Sequence, residues 1–212
     1  MSLKIYFLRH GETTYSQTGG YCGSLDPDLT PEGYEMARLF AERYRSLPWN
    51  AIYSSPMQRT RATAQPLCEA VGIEPQLCDG LKEIHYGEWE GKTQVEVKER
   101  YGEDYVRWLT EPAWNPPTGG ETAVQIASRA SLIITEIEQR YSDGNVLVVS
   151  HKATIRVLLC NLLGIDLGRY RDRIAVLAAS VSVIGFDVHG PMLQVLGDRS
   201  HMSAALRERP GT

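Results

Sequence analysis

Two short, almost wholly apolar runs in this chain each stop at a histidine. Leu3 to Leu8 (LKIYFL) leads into Arg9-His10-Gly11, and Asn145 to Ser150 (NVLVVS) leads into His151 and then a helical pattern. Runs of this length and β-rich composition, feeding helices, predict strands of a mainly parallel sheet, because parallel strands need crossover helices between them. Ala51 to Ser54, Val181 to Phe186 and Leu193 to Leu196 are further strand candidates. Helical spacing is expected from Pro31 to about Ser46, with Thr30 as N-cap, Pro31 in the first turn and Glu32 and Glu35 at the positive dipole end. Met57–Val71, Glu121–Tyr141 and Lys152–Leu163 complete the set. Strands alternating with helices of this length read as the α/β class.

The segment from about Asp79 to Gly120 breaks the alternation. It holds Gly80, Gly87, Gly91 and Gly102, a Pro-rich turn at 111–117, and Trp89, Trp108 and Trp114. We expect a lid-like insertion over the carboxyl edge of the sheet, the edge at which open α/β sheets bind ligands, with its tryptophans packing a core rather than stacking on a ligand. The chain's 212 residues are expected to form one domain. Arg207 to Thr212 is expected to be a frayed tail, and Arg169, Arg171 and Arg173 a solvated helix end.

Charge narrows the function classes. Lys and Arg total 22 against 26 Asp and Glu, a formal charge of -4. A nucleic-acid partner is therefore not expected, and any bound anion must be held by a local group of cations. No apolar stretch approaches the roughly 20 residues of a membrane span, and the N-terminus has no signal-peptide layout, so the protein is expected to be cytoplasmic. Cys22, Cys68, Cys78 and Cys160 show no paired metal-ligand spacing and are read as reduced thiols.

Three places gather the chemistry. Arg9 and His10 stand at the end of the first strand, with Gly11 allowing close backbone approach. His151 stands beside a helix N-terminus, whose N–H groups favour an anion. Arg59, in Ser54-Ser55-Pro56-Met57-Gln58-Arg59, lies in the first turn of a helix, where a cation opposes the dipole unless it meets an anion. Cations at three strand ends point to one phosphate-sized ligand.

In order along the chain, LRHGET, SSPMQRTRATA, LKEIHYGEWEG and VVSHK resemble the histidine phosphatase superfamily, which includes metal-independent phosphatases and phosphoglycerate mutases. The resemblance covers nearly the whole chain. It implies a three-layer α/β/α sandwich around a mainly parallel mixed sheet, phosphoglycerate mutase-like. It implies that His10 is the nucleophile that becomes phosphorylated, that Arg9 and Arg59 clamp the phosphate, that His151 contacts the transferred group, and that Glu83 donates the proton. No metal and no cofactor are implied, since arginine supplies the positive charge. Ser16 sits where many members carry an asparagine, and Lys152 where a small residue is frequent. Ser16, Cys22, Gly23, His85, Tyr86, Lys152 and His201 are the remaining candidates for substrate contact.

The mutase branch carries a lysine where this chain has Gln94, and an arginine pair in the region here occupied by Val106-Arg107-Trp108-Leu109. Those departures favour hydrolysis over isomerisation. The stretch from Tyr21 to Leu29 and the lid resemble metal-independent phosphoserine phosphatases, and Gly197 to Met202 resembles the tail of small-metabolite phosphatases. A small acidic phosphomonoester, phosphoserine first, is the expected substrate and partner, with α-ribazole phosphate, sugar phosphates or mutase chemistry on phosphoglycerate as alternatives. A non-catalytic module that binds a phosphorylated partner is the third reading, and a homodimer is left open.

Overall fold

The computed structural model describes residues 2–209 and Gly211. Strands β1 (Leu3–Arg9), β2 (Trp49–Ser54), β3 (Gln76–Leu77), β4 (Gly144–Ser150), β5 (Val181–Asp187) and β6 (Gly190–Asp198) form one sheet in the order β3-β2-β4-β1-β5-β6. The first four run parallel, and β5 and β6 close the other edge as an antiparallel hairpin. Leu3 pairs with Gly144 and Arg9 with Ser150, so β1 and β4 end level. That register delivers His10 and His151 to the same edge, where His10 N–H donates to Ser150 O at 3.0 Å.

Alternation along the central strands builds two cores. Ile5, Phe7, Val146 and Val148 face one side, packed by α6 (Ala123–Arg140) and α7 (Lys152–Leu163). Leu8, Ile52, Leu147 and Val149 face the other, against α2 (Pro31–Tyr44) and α3 (Gln58–Val71). Neighbouring residues point to opposite faces because the side-chain period of a strand is two, so both faces are apolar and both are covered. The result is the three-layer α/β/α sandwich expected from the sequence. The Thr30 hydroxyl accepts from Gly33 N–H at 3.0 Å, with Pro31 beginning α2, and the Thr122 and Gln125 side chains cap α6 reciprocally.

Short elements went unread in the sequence: α1 (Thr14–Thr18), β3, α4 (Gln94–Arg100), α5 (Gly102–Thr110) and α9 (Ala204–Arg207), while α8 (Tyr170–Arg173) stands where a helix end was expected. Between β3 and α6, α4 and α5 carry a separate aromatic core. Trp89 and Trp108, 5.3 Å apart and nearly perpendicular, pack with Tyr21 and Val97, and Tyr86, Tyr101 and Tyr105 close around them. Trp89 and Trp108 therefore pack as expected, whereas Trp114 is 71% exposed and does not.

The expected frayed tail is a correction. Arg207 ends α9, whose last carbonyls accept from the Arg199 guanidinium. Arg209 donates two hydrogen bonds to the fully buried Glu12 carboxylate, and Arg9 Nη1 donates to Gly211 O at 3.1 Å. A buried carboxylate needs a cation, and the tail supplies it. Pro210 and Thr212, which the same expectation covered, lie outside the described residues, as does Met1. Among the described residues, no helix is long and apolar enough to cross a membrane.

Candidate active site

A cleft of about 150 Å³ opens at the carboxyl edge of the sheet. Arg9, His10, Ser16, Cys22, Arg59, Glu83, Tyr86 and Lys152, all singled out in the sequence, line it together. Five separate stretches of chain thus converge on one small volume.

His10 is fixed by its backbone. Its Nδ1 lies 2.7 Å from Gly11 O, and a carbonyl can only accept, so Nδ1 carries the proton and Nε2 keeps a lone pair. Burial, and then the charges of Arg59 and Arg9, hold the imidazole pKa well below its usual value, so the ring is neutral at pH 7. Gly11 N–H is anchored on Thr63 Oγ1 at 2.9 Å. The turn is close-packed: a Cβ on Gly11 would lie 2.5 Å from the Gly33 carbonyl oxygen, so only glycine fits.

The Arg59 guanidinium sits in a cage. Nε donates to His151 Nδ1 at 3.2 Å, Nη1 to Leu25 O and to Asp26 Oδ1, and Nη2 to Gly23 O at 3.1 Å. Four of the five N–H protons are thus committed, and one on Nη2 remains for a ligand. His151 accepts at Nδ1, so its proton is on Nε2, which donates to Ser55 Oγ at 2.9 Å. Its ring lies 5.3 Å from that of His10 but is fully buried, and it does not line the cleft. Burial and Arg59 keep it neutral as well.

Glu83 occupies the N-terminus of α7. Its carboxylate accepts from the N–H groups of Ile84, Ala153 and Thr154. The helix end beside His151, expected to hold an anion, holds this carboxylate and aims it into the cleft. Arg9, pushed down to about 10 by burial, donates from Nη1 to Val176 O at 2.9 Å. Ser16 exchanges hydrogen bonds with Thr13 in the cap of α1. Burial raises the Cys22 thiol to about 11, which keeps it protonated.

Besides His151, three expected substrate contacts do not join the cleft. Gly23 reaches the site through the carbonyl that holds Arg59 and does not line the cavity. His85 is half exposed and lines a neighbouring groove with Arg129 and Glu121. His201 is buried against Phe40 and Tyr44, in the core beneath α2. A histidine in a tail motif reads the same whether it turns to the cleft or to a core.

Sequence reasoning missed Arg156 and Arg171, which line the cleft beside Lys152. Arg171 lies 3.7 Å from the Trp108 ring centroid, so it is not part of a solvated helix end. Arg156 was discoverable: it follows Lys152 by four residues on a helix whose other residues nearby are mostly apolar. Ser55 and Thr63, which hold His151 and Gly11, were also missed. Among the described residues, no group of three or more His, Cys, Asp or Glu side chains is placed to hold a metal ion. The four cysteines are free.

Comparison with known proteins follows this geometry. The description "Histidine phosphatase superfamily (branch 1)" matches residues 5–199. Phosphoserine phosphatase 1 of Hydrogenobacter thermophilus is 37% identical over 168 residues, 79% of this chain and 80% of the relative. The adenosylcobalamin/alpha-ribazole phosphatase of Salmonella typhimurium is 27% identical over 161 residues, 76% and 80% of the two chains. Among solved structures, Bacillus stearothermophilus YhfR superposes with a TM-score of 0.88 at 27% identity, covering 95% of this chain and all of that one. A phosphoserine phosphatase mutant of Entamoeba histolytica in complex with phosphoserine gives 0.85 at 26% identity, again covering 95% of this chain and all of that one. Fold, strand-end histidines and cation-lined cleft agree with these matches: the chain belongs to the histidine phosphatase superfamily and is a hydrolase of its phosphatase kind.

Proposed function

We propose that this protein hydrolyses a small acidic phosphomonoester, phosphoserine first among candidates, through a phosphohistidine on His10. The observation that carries the reading is the tautomer of His10: Gly11 O fixes the proton on Nδ1 and leaves the Nε2 lone pair uncommitted on a residue that lines the cleft with Arg9 and Arg59. Nε2 attacks phosphorus, the P–O ester bond breaks, and the departing oxygen takes a proton from Glu83. Water then attacks the phosphohistidine and gives its proton to Glu83, and the N–P bond breaks to release inorganic phosphate. Arg9 and Arg59 offset the charge on the transferred group, which is most of what phosphoryl transfer requires. With both ring nitrogens engaged, His151 acts by holding Arg59 in orientation.

The small cleft supports a small leaving group. The phosphoserine phosphatase relatives support the first candidate. Gln94 lines the cleft at the position where the mutase branch is expected to carry a lysine, and Arg107 turns away to Glu103 and Asp104. Both favour hydrolysis. Incubation with p-nitrophenyl phosphate and EDTA should release phosphate, and acid quench should trap phosphate on His10. Turnover that stops with EDTA, or persists in His10→Ala, overturns the mechanism. Isomerisation of 3-phosphoglycerate outrunning phosphate release would establish the mutase instead.

A further inference from the structure

Lys152, Arg156 and Arg171 line the same cleft as His10, and the reaction described above uses none of them. Lys152 and Arg156 stand one turn apart on α7, and Arg171 enters from α8, which packs on α7. Among the described residues, seven other arginines pair with carboxylates, Arg38 with Glu35, Arg129 with Glu121 and Arg209 with Glu12 among them. These three cations have no carboxylate or carbonyl within hydrogen-bonding distance among the described residues. Arg156 Nε is buried without an acceptor among the described residues, and the Arg171 guanidinium lies over the Trp108 ring. Half-buried guanidiniums without partners are costly, and the cost is relieved only when an anion enters. Among the described residues, Glu83 is the sole carboxylate lining the cleft, and its oxygens are engaged at the N-terminus of α7.

We propose that Lys152, Arg156 and Arg171 form a second oxyanion subsite that receives a carboxylate on the departing alcohol, so that the enzyme selects phosphomonoesters of hydroxy acids over those of neutral alcohols. The inference rests on the phosphatase reading of this cleft and narrows its substrate class. A carboxylate is chosen because the cleft is small and a guanidinium meets it with two parallel hydrogen bonds. The electrostatics of the cleft run in the matching sense. Burial, then Arg9 on β1 and Arg156 on α7, with Arg171 on α8 adding to them and Glu83 opposing, lower Lys152 to about 7. An arriving carboxylate favours its charged form.

The test compares 3-phosphoglycerate with glycerol 3-phosphate, which differ only in a carboxylate replaced by a hydroxymethyl group. Calorimetry on the His10→Ala protein reads binding without turnover. We expect 3-phosphoglycerate to bind about tenfold more tightly or better, as hydrogen bonds to a charged group give. The preference should fall to under threefold in His10→Ala carrying Arg156→Gln and Arg171→Gln, and return in part with Arg156→Lys in place of Arg156→Gln. Equal affinities in the His10→Ala protein, or a preference that survives the double substitution, overturn the subsite. Circular dichroism of each variant guards against misfolding. If the glutamine variants do not fold, Arg156→Lys alone in the His10→Ala protein supplies the measurement: it should lessen the preference, and it refutes the subsite if it leaves the preference unchanged. Hydrolysis that persists in His10→Ala with the binding preference intact would instead refute the phosphohistidine mechanism while leaving the subsite standing.

Discussion

Replacing His201 with phenylalanine should make the protein more resistant to acid by an amount the structure sets. Both ring nitrogens of His201 are buried without a hydrogen-bond partner among the described residues, and its ring meets the edges of Phe40 and Tyr44. Burial is the main cause that lowers its pKa from 6.5 to about 4, with Arg199 and Arg43 adding to it and Asp198 opposing. The folded state thus resists a proton that the unfolded chain accepts, and stability falls as pH drops below 6.5 towards 4. At pH 7 the residue contributes almost nothing; by pH 5 the lost stability reaches about 2 kcal/mol at most. Phenylalanine has no proton to refuse and fits an aromatic, apolar site. Urea unfolding of both proteins at pH 7 and pH 5 measures the effect as the change in their stability difference between the two pH values. A gain of about 2 kcal/mol for His201→Phe on going to pH 5 is expected. An unchanged difference would show that His201 is solvated or already charged in the folded protein. Activity at pH 7 should be unaltered, since the residue lies away from the cleft.

Other substitutions test the site itself. Gly11→Ala should cost about 2 kcal/mol in chemical denaturation and most of kcat, because the added methyl meets the Gly33 carbonyl and displaces His10; near-native turnover would refute this. Glu83→Gln should slow phosphoserine hydrolysis about a hundredfold or more, and p-nitrophenyl phosphate, whose leaving group needs no proton, far less; equal losses in kcat would remove Glu83 as the acid. Arg209→Ala should lower the thermal midpoint, because it leaves the buried Glu12 carboxylate without its cation; calorimetric scanning reads the shift, and no shift refutes the role.

The strands and long helices were legible because alternation and capping residues fix them locally. Thr30-Pro31 announces α2 whatever packs against it, and LKIYFL and NVLVVS are too apolar to lie anywhere but in a covered sheet. Arg9, His10 and Arg59 were legible for a different reason: a charged or polar group where an apolar strand gives way to a turn or helix is conspicuous, whereas Glu83 was legible only through the family resemblance. Arg171 was not. Its position on Trp108 depends on a contact 63 residues distant in the chain, which no local pattern encodes. The tail was misread similarly, since Arg209 in Arg-Glu-Arg-Pro-Gly looks solvated until Glu12 is known to be buried beneath it. His201 shows the converse error, a polar residue credited with chemistry where the fold uses its ring as packing.

One helix carries much of this site. The turn that opens α7 grips Glu83 by its backbone amides, and His151, Lys152 and Arg156 follow within it. Because amide hydrogen bonds are indifferent to side-chain identity, positions 152 and 156 can be rewritten without disturbing the grip. Selectivity and bond-breaking are therefore separable modules on a shared rod, and redesign for a new leaving group should begin at its cleft-facing rungs.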